Sequence, residues 1–397
     1  MTEVQRDSER CTGEPSAEAG ADGHPRVQRV VMINSTLSPG GAERVICHLA
    51  KEFTRRGVGT TIVCLREKGQ FGEELEAEGV PVVALQSTRS HDVGAILRLS
   101  HLLFKVRPDI VHVHDLYSML YGLLASLGGL GFPVVFTAHG MIFRDMRRQR
   151  SRFRLAARFL GALTAVSQDA GDCHAQYLDW RKSVDVILNG VPNKPRPGEH
   201  REHLRQCLGI FRDTFIFLAA GIAKPEKGYE DLLQAAALLR DASPGRAFVV
   251  LVAGTISGDA YCRSLLTLHE KLGLHDTVRF LGLRSDVWEL YGAADALILS
   301  SRSEGLPMVV LEAMMAGIPV VATKVGGVPS ALGDGGLLVD VASPRQLGDA
   351  MQELLANPRL AELLAQCGRT RAINEYTTDR MAARYLELFE EVVGGRR

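Results

Sequence analysis

The stretch "SEGLPMVVLEAMMAGIPVVATKVGGVP" (303–329) holds two carboxylates, Glu304 and Glu312. They stand eight positions apart with only apolar residues, Gly and Pro between them. Burying a carboxylate beside that much hydrophobic surface is costly unless something satisfies it. Pro307 is a natural first helical residue and Gly317 a natural stop, which predicts a helix over 307–316. Glu304 then precedes the helix, beside the free backbone N–H groups of Gly305, Leu306, Met308 and Val309. Glu312 lies about two turns in and reaches into a cleft from the helix wall. Free N–H groups suit phosphate or sugar oxygens, and a carboxylate suits hydroxyls or a developing positive charge. On this reading the cost of burying the acids is offset only when a ligand is bound.

Other chemistry-bearing residues also follow apolar runs. "STLSPGGAER" (35–44) opens a helix with Gly40 and Gly41, either as a plain tight turn or as a close approach of backbone to an anion. It is not GxGxxG. In "HVHDLY", His112 and His114 share a face by the strand period of two, but no third ligand is in reach for a metal. His114 and Asp115 are expected to line the cleft, with His112 packed lower down. His139 in "AHGM" sits where a substrate would meet it. Lys224 and Lys227 flank the turn in "AAGIAKPEKGYEDLLQA", as a phosphate-neutralising pair or as a solvated turn.

The elements that must position these residues are short Val/Ile/Leu runs alternating with segments of helical spacing. Strands are expected at 30–34, 60–64, 80–85, 110–114, 134–137, 162–166 and 184–188. After the turn-rich "NKPRPGEH" (193–200) the rhythm restarts, at 215–220, 248–253, 278–280, 296–300, 320–323 and 337–339. Helical spacing is found at 42–56, 93–106, 344–357 and 378–393. The pattern is α/β, with two doubly wound domains facing a central cleft. The expected division is a disordered tail (1–26), a first domain (27–195), a second domain (196–376) and a C-terminal helix (377–397) packing back toward the first.

The 397 residues, 46% hydrophobic and 23% charged, suffice for two large cores. The 46 acids balance the 46 bases, so no global field points to nucleic acid. Seven scattered cysteines without a CxxC pair read as reduced thiols of a cytoplasmic protein. The uncharged segment 116–138 is long enough to span a bilayer, but Gly128, Gly129, Gly131 and Pro133 cut it into helix, turn and strand.

Taken together, these residues resemble the retaining nucleotide-sugar glycosyltransferases of the GT-B fold, family 4. The match lies in the E-x7-E block with its trailing glycine pair and in "GGAERV", "TAVS" (164–167), "NGV" (189–191), "PEKG" (225–228) and "FLG" (280–282), in that order. It covers roughly residues 30 to 380. The resemblance implies that Glu312 holds the ribose hydroxyls of a nucleotide diphosphate sugar, that Glu304 contacts the transferred sugar, and that the 305–309 backbone binds sugar hydroxyls or diphosphate. It also implies that Lys227 neutralises the diphosphate, that Gly41 meets it from the first domain, and that His139 lies near the transferred sugar. Neither metal nor other cofactor is implied. Two positions depart from the family pattern: Ile222 stands where an arginine is usual, with Lys224 able to supply the charge, and Ser330 replaces a common glutamate.

"FRDMRRQRSRFRLAARFL" (143–160) carries seven arginines against one acid, interleaved with apolar residues. It reads as an amphipathic basic segment for an anionic membrane surface or a phosphate-bearing acceptor. The leading expectation is transfer of a hexose from a UDP- or GDP-sugar to a glycan or lipid-linked acceptor, in cell-surface polysaccharide or glycolipid synthesis. A sugar-nucleotide epimerase of the same fold and a non-catalytic sugar-nucleotide-binding scaffold are the alternatives. A nicotinamide dehydrogenase is disfavoured by the missing GxGxxG.

Overall fold

Strands rich in Val, Ile and Leu are apolar on both faces and must be covered on both, which a parallel sheet with crossover helices achieves. The computed structural model describes residues 27–88, 92–127, 131–142, 149–198 and 200–395. The first sheet comprises β1 (Arg29–Asn34), β2 (Gly59–Cys64), β3 (Val82–Ala84), β4 (Ile110–Val113), β5 (Val134–Ala138), β6 (Ala162–Ala165) and β7 (Asp185–Val186). They pair in parallel in the order β3-β2-β1-β4-β5-β6-β7. The second comprises β8 (Phe215–Ala220), β9 (Phe248–Ala253), β10 (Val278–Gly282), β11 (Ala296–Leu299), β12 (Val320–Thr323) and β13 (Gly336–Val339), in parallel order β10-β9-β8-β11-β12-β13.

All thirteen expected strands form. β3 and β7 are shorter than their apolar runs because each is an edge strand with a single partner. The strand order reverses between β1 and β4 and again between β8 and β11. Connections leave these points in opposite directions, and a crevice opens at the carboxyl ends there. Every site residue named above follows one of β1, β4, β5, β8 or β11.

The helix carrying Glu312 is Met308–Ala316, one residue shorter than expected. Pro307 has an extended ψ of 125° and stands before the helix as its cap, because the backbone leading to it is tied to other loops. Gly317 ends the helix at φ 75°, in the left-handed region. Apart from Val309 all its residues are buried, so the apolar run is the signature of a helix packed all round. The neighbouring helix Pro358–Glu375 has no counterpart among the expected elements. Its buried residues are Leu364, Ala365, Gly368 and Ala372, and such small residues leave little apolar periodicity to read.

The 116–138 segment divides into helix Leu116–Leu127 and β5. Among the described residues no helix is long and apolar enough to cross a membrane. The final helix, Thr378–Gly395, lies against the first sheet. Its Phe389 ring is 6.0 Å from Phe53, its Tyr385 ring is 5.0 Å from His112, and Asp379 pairs with Arg55 and Arg56.

Candidate active site

A cleft of about 690 Å³ lies where the two switch points face each other. On the β8–β11 side, Lys227 sits in a 3₁₀ turn, Pro225–Lys227, that ends at Gly228 with φ 59°. A Cβ at position 228 would stand 2.2 Å from the Ser300 carbonyl oxygen, and Ser300 Oγ donates to the Lys227 carbonyl at 2.9 Å. The turn is thereby pinned to the end of β11. This pinning brings Lys227 Nζ within 2.7 Å of Glu304 Oε1, and Ser301 Oγ donates to the same oxygen at 2.7 Å. Lys224 lines the same cleft but forms no ion pair among the described residues. The two lysines are therefore split: one is held by an acid, the other is open to an incoming anion.

The backbone after Glu304 is fixed from three directions. Asn189 Nδ2 donates to the Leu306 carbonyl at 2.8 Å, and the Gly327 N–H donates to the Gly305 carbonyl at 2.6 Å. Gly305 itself lies flat against the other domain, where a Cβ would stand 2.2 Å from the His139 carbonyl oxygen. Among the described residues the N–H groups of Gly305, Leu306, Met308 and Val309 donate to no protein acceptor. They remain available at the helix start, where negative charge is favoured.

The placement of Glu312 overturns one expectation. Its side chain is 9% exposed, yet it does not wait for a ligand to offset burial. Arg44 Nη1, from helix Gly41–Arg55 of the other domain, donates to Oε1 at 3.1 Å, and the Tyr291 hydroxyl donates to Oε2 at 2.9 Å. A buried carboxylate with two donors is satisfied by the protein alone. Burial, and then the Glu312 charge, push the Tyr291 phenol well above its usual range, so it stays a donor.

On the β4–β5 side, His114 Nδ1 and His139 Nε2 share a hydrogen bond of 3.0 Å. His112 lies outside the cleft and is bonded through Nε2 to Thr137 at 2.7 Å, and Thr137 also meets Thr164 and Tyr385. Asp115 borders the cleft, but both its carboxylate oxygens are engaged. Oδ2 accepts from the Ser35 N–H, and Oδ1 accepts from the N–H groups of Tyr117 and Ser118. It caps the following helix and ties β4 to β1, which leaves it little capacity for an acceptor hydroxyl. No group of three or more His, Cys, Asp or Glu that could hold a metal occurs among the described residues.

Burial holds the imidazoles of His48, His139 and His174 down at about 4, with the charge of His174 adding to the effect on His139. A free imidazole titrates near 6.5, so between these values the unfolded chain binds protons that the folded chain refuses. Stability is therefore full above about pH 6.5 and is lost as pH falls toward about 4. Melting temperature is expected to be flat from about pH 8 to 7 and to drop steadily below about 6. His174→Gln should make that drop shallower. A melting temperature that rises on acidification contradicts the assignment.

Several cleft residues escaped the sequence reading. Glu43 and Arg44 lie inside the quoted "GGAERV", directly after its glycine pair and Ala42. Glu43 is a cleft carboxyl raised by burial, opposed by its own backbone N–H and by Asn34. Asn189 lies inside the quoted "NGV", while Tyr291 and Ser301, which support cleft carboxylates from behind, carry no local motif that marks them. Ile222 lines the cleft and Lys224 stands two residues on, while Ser330 is exposed and away from it.

Two facing doubly wound domains with the site between them define the GT-B class of glycosyltransferases. The Anabaena protein Alr3699/HepE, solved with UDP and glucose, superposes with a TM-score of 0.81 at 22% identity, covering 92% of this chain and all of its own. Sucrose-phosphate synthase of Thermosynechococcus elongatus gives 0.79 at 19% identity, over 93% and 100%. The model of the family "Glycosyltransferase Family 4" matches residues 39–194, and that of "Glycosyl transferases group 1" matches residues 200–371. D-inositol 3-phosphate glycosyltransferases of Saccharomonospora viridis and Corynebacterium urealyticum are 31% and 33% identical, covering 91% and 92% of this chain and 91% and 96% of their own. N-acetyl-alpha-D-glucosaminyl L-malate synthase of Bacillus anthracis is 24% identical, over 76% and 80%. The chain belongs to the group 1, family 4 glycosyltransferases, and it is an enzyme of that kind.

Proposed function

We propose that the protein transfers a hexose, with retention at the anomeric carbon, from a UDP- or GDP-sugar to a hydroxyl of a glycan or lipid-linked acceptor. The observation that carries this reading is the Lys227–Glu304 pair beside four open N–H groups in the cleft. Glu304 and the N–H groups of 305–309 receive the sugar hydroxyls and diphosphate oxygens. Lys227, released from Glu304, joins Lys224 and the Gly40–Gly41 turn in stabilising the leaving diphosphate, which supplies the missing charge at Ile222. Glu312 takes the ribose hydroxyls. The bond from the anomeric carbon to the diphosphate oxygen breaks while the acceptor oxygen bonds to the same face, and the acceptor proton passes to the leaving phosphate oxygen. His139 and His114, both kept neutral by burial, shape that side without adding charge. No metal is required in this scheme.

A place at the cytoplasmic face of a membrane belongs to the same proposal. Helix Arg150–Ala157 presents Arg150, Arg154 and then Arg158 to a groove of about 880 Å³ that Arg181 and Lys182 complete. Leu155 and Phe159 are exposed beside it. Anionic lipid headgroups with shallow apolar insertion suit such a surface. Arg144, Arg147 and Arg148 of the expected patch lie outside the described residues.

A thermal-shift panel of UDP-, GDP-, ADP- and dTDP-sugars tests the donor assignment. One class should stabilise the protein, by about 2.7 kcal/mol at a hundredfold excess over Kd. No shift with any member contradicts it. Acceptor trials with the selected donor should include D-inositol 3-phosphate and L-malate, which the relatives' names specify.

A further inference from the structure

Arg44 occupies the seat that the proposed donor requires. It belongs to the first domain and Glu312 to the second, and their contact of 3.1 Å closes the cleft at its ribose end. The Tyr291 hydroxyl takes the other carboxylate oxygen from the core side. A ribose diol that approaches Glu312 from the cleft meets the Arg44 guanidinium on the oxygen nearest to it and competes with that donor. Tyr291 is fully buried and holds its bond from inside the core. Arg44 is 36% exposed and can swing out. Its guanidinium also lies 5.5 Å from the centroid of the Phe71 ring on its own domain, which gives the displaced cation a resting place.

We propose that Arg44 acts as a removable stand-in for the donor ribose, holding the two domains together on Glu312 until a nucleotide sugar takes its place. The proposal rests on Glu312 being the ribose anchor. It makes Arg44 a positioning residue that lowers the affinity of the resting enzyme for ribonucleotides and couples donor entry to rearrangement of the domains. A nucleotide without ribose hydroxyls has nothing to offer Glu312 and leaves the pair intact.

Calorimetric titration of the full chain with UDP and with 2′,3′-dideoxy-UDP separates the cases, or with the matching pair for the base that the panel selects. Arg44→Gln is expected to tighten UDP about two- to fivefold, the size of a half-exposed ion pair, and to leave the dideoxy ligand unchanged. Arg44→Lys, which keeps the cation with poorer geometry, should shift UDP the same way by less, and it serves if Arg44→Gln does not fold. Weaker UDP binding in either variant, or an equal shift for both ligands, overturns the proposal. Glu312→Gln tests the reading underneath and should abolish the preference for UDP over its dideoxy form. If that preference survives in Glu312→Gln, the ribose assignment itself fails. If it is lost there while Arg44→Gln moves nothing, only the Arg44 proposal fails.

Discussion

Glu304→Ala is expected to lower kcat by about 10²–10³-fold, with a melting temperature within a few degrees of the parent. Its carboxylate is 12% exposed and is shared by Lys227 and Ser301 at the rim of the cleft, outside either hydrophobic core. Removing it therefore takes away the proposed contact to the reacting sugar without opening a core cavity. Lys227→Ala should cost a similar factor for a different reason, because on the proposed scheme the diphosphate then leaves without the Lys227 cation. It also strands a nearly buried carboxylate with a single donor, so a modest loss of stability accompanies it. Initial rates of nucleoside diphosphate release, measured beside circular-dichroism melting, separate the two effects. Full activity in both folded variants would remove the chemistry from this site.

Gly305→Ala should be nearly as damaging although it deletes nothing. The added Cβ meets the His139 carbonyl oxygen at 2.2 Å, the His139 carbonyl carbon at 3.0 Å and the Gly140 Cα at 3.1 Å. All three are backbone atoms of the other domain, so no side-chain rotation relieves the clash. The domains must part, or the loop from Glu304 to Pro307 must move away from Asn189 and Gly327. A displacement of about 1 Å at a reacting centre costs about 10²-fold in rate. The clash falls on a loop outside the strands and helices of both domains, so melting should change far less than turnover. Small-angle scattering should report a wider molecule. A Gly305→Ala enzyme with parental kcat would mean that the contact between 305 and 139 is not part of the working arrangement.

The sheets were legible in the sequence because each strand is a continuous apolar run that only a doubly covered parallel sheet can bury. The helix of Glu312 was legible for a related reason, since an apolar run bounded by Pro307 and Gly317 has few other solutions. What the sequence hid are contacts between distant positions. Arg44 and Glu312 lie 268 residues apart, and nothing local in either predicts the other. Asp115 illustrates the opposite failure. A carboxylate after a strand looks available until the backbone N–H groups that claim it are placed. The lysine turn reads as a pair because Lys224 and Lys227 stand three positions apart, yet the 3₁₀ turn sends only Lys227 to Glu304.

On the proposed function this cleft breaks the bond between sugar and diphosphate and keeps the anomeric configuration. The most direct measurement is proton NMR of the full chain with an α-linked nucleotide hexose, in the presence of candidate acceptors and with water as the minimal one. The expected result is release of nucleoside diphosphate together with a product whose first-formed anomer is α, and silence in Glu304→Ala. A β product, or an isomerised nucleotide sugar with no diphosphate released, would contradict it.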